Sequence, residues 1–344
     1  MRTRLPDIDL LRNLAMCAVI LGHVAAGPPG SSSLVRSALY SWHVPLFFFL
    51  SGLLWNNQVT LKADAWKRFK QLIVPYVSWA VVLTAISSHF DHSPTFGTYL
   101  ESLSDILVGG AQARGVFGAF WFLPVFFLAV LVLRLTDHVN HLFSWVIAIG
   151  GTAVSMIFQD KLHELPLYAG SIAPAVLFIL AGRLYSTTVA PFFRHSLEAP
   201  IFVSMAVGAL TLFIFQTISP LDLKFCDLGT PVLSIFGSTL ICAGVVSLAQ
   251  VLRPTLTKLS LSRPLAEAAR VMVAVLLVHK LYLIAFAQLG LPLFSVFLLT
   301  AVSSWSTALC LAKTPLSQAL IGVPRGSHLQ RRRQLPGDPS MRTL

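Results

Sequence analysis

Runs of Leu, Ile, Val, Phe and Ala, each near the ~20 residues a helix needs to cross a hydrocarbon core, alternate along the chain with short polar connections. Ten such segments can be drawn, near residues 8–27, 38–56, 71–90, 119–136, 142–158, 168–186, 199–219, 230–251, 268–289 and 291–312. They predict an all-α, polytopic integral membrane protein of about ten transmembrane helices. The first segment also has features of a secretory signal, with Arg2 and Arg4 ahead of an apolar core and Val24-Ala25-Ala26 at a small-residue site, but Asp7, Asp9 and Arg12 break that charge pattern. The longest connection, about residues 91–118, carries Gly109-Gly110, Gly115 and Gly118 beside Asp91, Glu101 and Asp105. It fits an outer cap or re-entrant segment as well as it fits a solvated loop. No internal repeat is visible, which weakens a transporter reading.

Composition fixes the environment. Of the 344 residues 55% are hydrophobic and 11% charged, with a mean hydropathy of +0.75, far from the quarter charged of soluble domains. Cys17, Cys226, Cys242 and Cys310 are scattered, with neither metal-ligand nor disulfide spacing, so no metal is expected. A net charge of +11 suits nucleic acid in principle, but the basic residues are spread between apolar segments without a recognition motif. Orientation accounts for them better. With the N-terminus inside, twenty Lys and Arg fall on the inner side and four, Arg36, Arg114, Lys161 and Lys224, on the outer, while Lys280 sits within a span. That asymmetry supports both termini in the cytoplasm and an even number of spans, and the expected location is the cell membrane. Residues 1–313 are then one transmembrane domain, and 314–344 a basic cytoplasmic tail expected to be disordered and drawn to anionic lipid.

Polar residues inside the apolar segments carry the chemistry, because each is costly there. Arg12 and His23 are eleven residues apart, three helical turns plus about 20°, so they share one face about 16 Å apart along the axis. Asp9, one turn before Arg12, is placed to pair with it. Interfacial anchoring explains Asp9 and Arg12 as well, with Arg12 snorkelling to the headgroups. His23 lies too deep for that, which leaves a functional imidazole or a structural hydrogen bond. In "SWHVPLFFFLSGLLW", residues 41–55, His43 enters from the outer side at a depth matching His23, and Ser51-Gly52 offers a small surface for another helix. Lys67, Arg68 and Lys70 gather before Pro75, where a positive-inside anchor and a phosphate-binding surface would use the same charges. His279 and Lys280 are further intramembrane ionisable residues, with packing an equal explanation for His279. Trp121 suits an interfacial belt by residue type, and His89 and His92 border solvent.

Taken in order, Asp9-x-x-Arg12, ten residues, then His23; "HVPLFFFLSG"; a basic stretch leading to "LIVPY"; and "FWFLPVFF" at 120–127 resemble the membrane-bound acyltransferase-3 family, closest to its stand-alone sugar O-acetylases. The motifs cover roughly the first 130 residues, with a weaker echo around His279. The resemblance implies about ten spanning helices and transfer of an acyl group, usually acetyl from cytoplasmic acetyl-CoA, to a hydroxyl of an envelope carbohydrate or related acceptor. It also implies that His23 is essential and that Arg12 belongs to the same motif. One position departs from the family pattern: where a second arginine often follows, this chain reads Arg68-Phe69-Lys70-Gln71. Lys67 or Lys70 supplies charge there without a guanidinium fork.

That chemistry suits the residues. A neutral imidazole at His23 can take the proton of an attacking sugar hydroxyl, or can itself carry the acyl group transiently. Arg12, then Arg68, Lys67 and Lys70, are the candidate contacts for coenzyme A phosphates. His43, Asp9, Trp121 and His279 are candidate acceptor-side residues. With no further domain read after the last span, the acceptor is expected to enter the membrane site, or a separate envelope-biosynthesis partner to take over. A transporter or flippase for a polar glycan is the competing class, since the same Arg and His could line a substrate path.

Overall fold

The computed structural model describes residues 5–25, 33–89, 95–109, 114–192 and 198–325. Among them the chain is helical, with an isolated bridge between Asp222 and Asp227 and no longer strand. In order the helices are α1 (Pro6–Ala25), α2 (Ser33–Tyr40), α3 (His43–Leu53), α4 (Leu61–Arg68), α5 (Val74–His89) and α6 (Phe96–Val108). There follow α7 (Phe122–Val139), α8 (His141–Ile157), α9 (Gln159–Leu162), α10 (Ile172–Leu184), α11 (Ala190–Phe192) and α12 (Glu198–Ile214). The last five are α13 (Leu233–Lys258), α14 (Ser262–Arg270), α15 (Met272–Ala287), α16 (Leu293–Leu311) and α17 (Ser317–Ile321).

Each of the ten predicted segments falls on a helix, but not every helix is long enough to span by itself. Six stretches among the described residues have membrane length and hydropathy: Pro6–Ala25, Leu61–Ser87, Gly115–Val139, Pro166–Val189, Leu233–Lys258 and Leu293–Leu311. A seventh results if α14 and α15, bent by 66° about Val271, count as one broken span. The shortfall from ten lies in α3, of 11 residues, and in α8 and α12, of 17 each. This is an all-α multi-pass membrane protein. The connection at 91–118 is no bare loop in its described part, since 13 of its residues form α6, capped by reciprocal Thr95–Thr98 hydrogen bonds. Tyr76 Oη donates to the Ile106 carbonyl at 2.8 Å and ties α6 to α5. His92 lies outside the described residues, as does the side chain of His89.

Local sequence explains why the helices run where they do. Pro6 sits at the start of α1, where its missing N–H costs nothing, and Asp7 and Asp9 in the first turn favour the helix dipole. Asp7 is fully buried and receives a two-pronged grip from Arg253 of α13, Nε to Oδ1 at 2.9 Å and Nη2 to Oδ2 at 2.7 Å. The predicted small surface at Ser51-Gly52 is a backbone contact. A methyl group on Gly52 would strike the Ile179 carbonyl, and one on Gly182 would strike the Phe49 carbonyl, so α3 and α10 touch through two facing glycines. Between α4 and α5 the chain widens into a π-turn at Phe69–Ile73, just ahead of Pro75, whose ring crowds the Gln71 carbonyl and offers it no N–H.

The tail expected from residue 314 differs at its start. Leu320 and Ile321 are apolar enough to bury, and α17 docks on α5, with Trp79 Nε1 donating to the Leu320 carbonyl at 2.8 Å. Residues 326–344, the rest of the expected tail, lie outside the described residues.

Candidate functional site

A cavity of about 1070 Å³ lies between the helices, lined on one side of His23 by Arg12, Asp64, Lys67, Arg68, Arg134 and Arg270 and on the other by Arg36, Arg114, Asp222, Lys224 and Lys280. His23, His43 and Trp121 line it as well. α1 supplies both Arg12 and His23 because it stays helical across the ten residues between them, keeping the two side chains on one face.

The Arg12 end is held by carboxylates. Asp9 lies 3.5 Å from Arg12 and forms the predicted pair, although Asp9 does not line the cavity. Asp64 of α4, only 4% exposed, accepts from Arg68 Nε at 3.0 Å through Oδ1 and from Arg134 Nε at 2.9 Å through Oδ2. Arg134 also donates to the Asn56 carbonyl at 2.9 Å and packs 3.9 Å above the Trp55 ring, while Arg68 stacks over Phe126 at 5.3 Å. Two guanidiniums are thus fixed in orientation by one buried carboxylate. Lys67 lines the cavity but Lys70 does not; its ammonium lies on the Trp66 ring at 5.1 Å, on an exposed surface.

Three histidines converge at the other end. His23 and His279 stack with ring centroids 5.3 Å apart, and Lys280, His279, His43 and Lys224 are the charged or titratable groups acting on His23. His279, fully buried behind His23, does not line the cavity itself. His43 Nδ1 lies 2.6 Å from the Leu39 carbonyl and His279 Nδ1 2.8 Å from the Leu276 carbonyl. A carbonyl only accepts, so both rings carry their hydrogen on Nδ1, and in the neutral form Nε2 is left as a proton acceptor. Trp121 is 7% exposed and packs edge-on against Tyr168 and Phe122, so it is part of the cavity wall and not of an interfacial belt.

The mouth beyond His23 is built by a loop. Between α12 and α13 the Leu223 carbonyl accepts from Ser171 Oγ at 2.5 Å, the Ser219 carbonyl from Ser234 Oγ at 2.6 Å, and Asp227 Oδ1 from the Gly229 N–H at 2.9 Å. These bonds fix where Asp222 and Lys224 stand. Asp222 accepts from Arg36 at 3.1 Å, and burial pushes its pKa up to about 6 against the opposing pull of Arg36. Burial also lowers the Lys224 pKa, with Asp222 opposing and Lys280 and Arg114 adding to the shift.

Asp64, Arg134 and the loop residues were not picked out from sequence. Asp64 carried a readable signal, an acid four residues ahead of Arg68 in a basic stretch, and Arg134 another, a guanidinium within an apolar run. Asp222 and Lys224 carried none, since they sit in an ordinary polar connection. Among the described residues no group of three or more His, Cys, Asp or Glu is arranged to hold a metal ion.

Fold and cavity together define a multi-pass membrane protein with a charged internal site. Residues 5–314 match a family model described as an acyltransferase domain, and the chain belongs to the acyltransferase-3 family. It is similar to the nodulation protein NolL of Mesorhizobium japonicum, 24% identical over 158 residues, a stretch covering 43% of this chain and about 40% of that relative's length. No solved structure matches the chain.

Proposed function

We propose that the protein is an O-acyltransferase of the cell membrane that moves an acyl group, acetyl in the simplest case, from cytoplasmic acyl-CoA to a hydroxyl of an envelope carbohydrate. The observation that carries this reading is that Arg12 and His23 open into one cavity about 16 Å apart along α1. In an acyl-CoA the thioester lies at the far end of a long arm from the phosphates. A donor whose phosphates rest on Arg12, Arg68 and Lys67 therefore presents its thioester further along the cavity, toward His23. Asp64 and Arg134 keep the Arg68 guanidinium turned for that contact.

At His23 the neutral imidazole takes the proton of the acceptor hydroxyl as its oxygen attacks the thioester carbonyl carbon. The tetrahedral intermediate collapses, the carbon–sulfur bond breaks, and the imidazolium returns its proton to the departing thiolate. An acyl-histidine route uses the same residue twice, first as nucleophile and then as leaving group. His43 and Trp121 wall the acceptor side, and His279 supports the His23 ring from behind. The inner-side basic residues agree with cytoplasmic termini and with a donor entering from that side.

The test is transfer of label from acetyl-CoA to a hydroxyl acceptor by the purified protein. Wild type labels the acceptor, and His23→Ala, still folded by size-exclusion chromatography, loses at least a hundredfold in rate. Normal turnover in His23→Ala removes the assignment; acceptor movement across a vesicle membrane without any donor replaces transfer by transport.

A further inference from the structure

The outer side is poor in basic residues, as the charge count requires, yet three of the four Lys and Arg left there, Arg36, Arg114 and Lys224, line the same end of the cavity. They come from α2, from the turn before α7 and from the α12–α13 loop, so no local sequence feature groups them. Lys280 joins them from within α15; its stem passes Gly118 so closely that a methyl group there would lie 3.4 Å from its Cε. Lys224 feels both Lys280 and Arg114, and Lys280 and Lys224 both act on His23. Among the described residues lining this end, Arg36, Arg114, Lys224 and Lys280 gather around Asp222, which pairs with Arg36 and has Asp227 as its acidic neighbour. Cations gathered in a partly buried site repel one another and lose hydration, a cost that an entering anion offsets.

We infer that this end of the cavity is a subsite for an anionic group, a phosphate or a carboxylate, carried by the acyl acceptor. The inference rests on the acyl-transfer reading in one respect, that the donor occupies the Arg12 end and leaves the ground beyond His23 to the acceptor. The acceptor is then an acidic sugar, or a sugar linked to phosphate, whose anion docks on Lys224, Arg114 and Arg36 while its hydroxyl reaches His23. The fixed loop that carries Lys224 makes the subsite preorganised.

Calorimetric titration of the full chain in nanodiscs with methyl glucuronoside, glucose 1-phosphate and neutral methyl glucoside tests this, with acetyl-CoA as the donor control. At least one anionic probe is expected to bind about tenfold tighter than the neutral sugar, the gain of one or two charge-assisted hydrogen bonds. Which one does so separates a carboxylate source from a phosphate source. Lys224→Gln and Arg114→Gln are each expected to remove most of that preference and to leave acetyl-CoA affinity in place. Lys161→Gln, the fourth outer basic residue and no part of the cavity, is expected to change nothing. The inference is overturned by a neutral probe binding as well as the anionic ones, by no anionic probe binding at millimolar concentration, by an undiminished preference in both variants, or by loss of acetyl-CoA affinity in them. Failure of wild type to bind acetyl-CoA at all instead counts against the acyl-transfer reading itself.

Discussion

Asp64 is the residue whose removal the structure prices most clearly. Its side chain, 6% exposed, is shared by Arg68 and by Arg134, whose side chain is 8% exposed, with N–O distances of 3.0 and 2.9 Å. In Asp64→Asn the volume is kept but one oxygen becomes an amide donor facing a guanidinium, and two cations remain where one anion had balanced them. Removing one partner of a buried ion pair costs about 3–5 kcal/mol. Arg68 is 20% exposed and can turn partly to water, and Arg134 keeps the Asn56 carbonyl and the Trp55 face, so the lower part of that range applies, about 3 kcal/mol. At about 2 °C per kcal/mol for a chain of this size, the unfolding midpoint should fall on the order of 6 °C in detergent. The same substitution frees Arg68 to rotate, and KM for acetyl-CoA should rise several-fold with it. The double variant Asp64→Leu with Arg134→Met, which removes anion and buried cation together, should recover most of the thermal loss. An unshifted midpoint in Asp64→Asn, or a double variant no better than Asp64→Leu alone, would refute the idea that this carboxylate organises the Arg12 end.

Three further outcomes follow from the same geometry. Gly182→Ala would push a methyl group into the Phe49 carbonyl and force α3 from α10; the yield of folded, monodisperse protein should collapse, whereas Gly208→Ala, with open space around it, should express as wild type. Arg12→Lys keeps the charge but loses the planar fork, so KM for acetyl-CoA should rise about tenfold with kcat little changed; an unaltered KM would remove the phosphate contact from Arg12. Asp222, with a folded pKa near 6 set by burial and by Arg36, Asp227 and Lys224 around it, holds a proton more tightly folded than unfolded. Stability should therefore be greatest below about pH 4 as far as this group is concerned, and decline between about 4 and 6 as the pH rises, a slope that Asp222→Asn abolishes in thermal scans.

The apolar pattern sufficed to find every segment that became a transmembrane or near-transmembrane helix, because burial in lipid demands continuous runs that interior packing does not disguise. It overstated how many are long enough to cross alone, since α3, α8 and α12 lean on neighbours: α3 lies glycine to glycine against α10, a contact only hinted at by Ser51-Gly52. The face shared by Arg12 and His23 was legible from helical arithmetic alone. What escaped were pairings through space. Arg134 was counted as one more inner charge, yet its partner, Asp64, is seventy residues earlier, and no periodicity links them. Arg36, Arg114 and Lys224 were likewise counted one by one as exceptions to the inner excess. Counting treats each charge as a marker of orientation and discards where it stands across the membrane plane, and it is their convergence on one cavity mouth that separates an exception kept for chemistry from one such as Lys161 that lies apart.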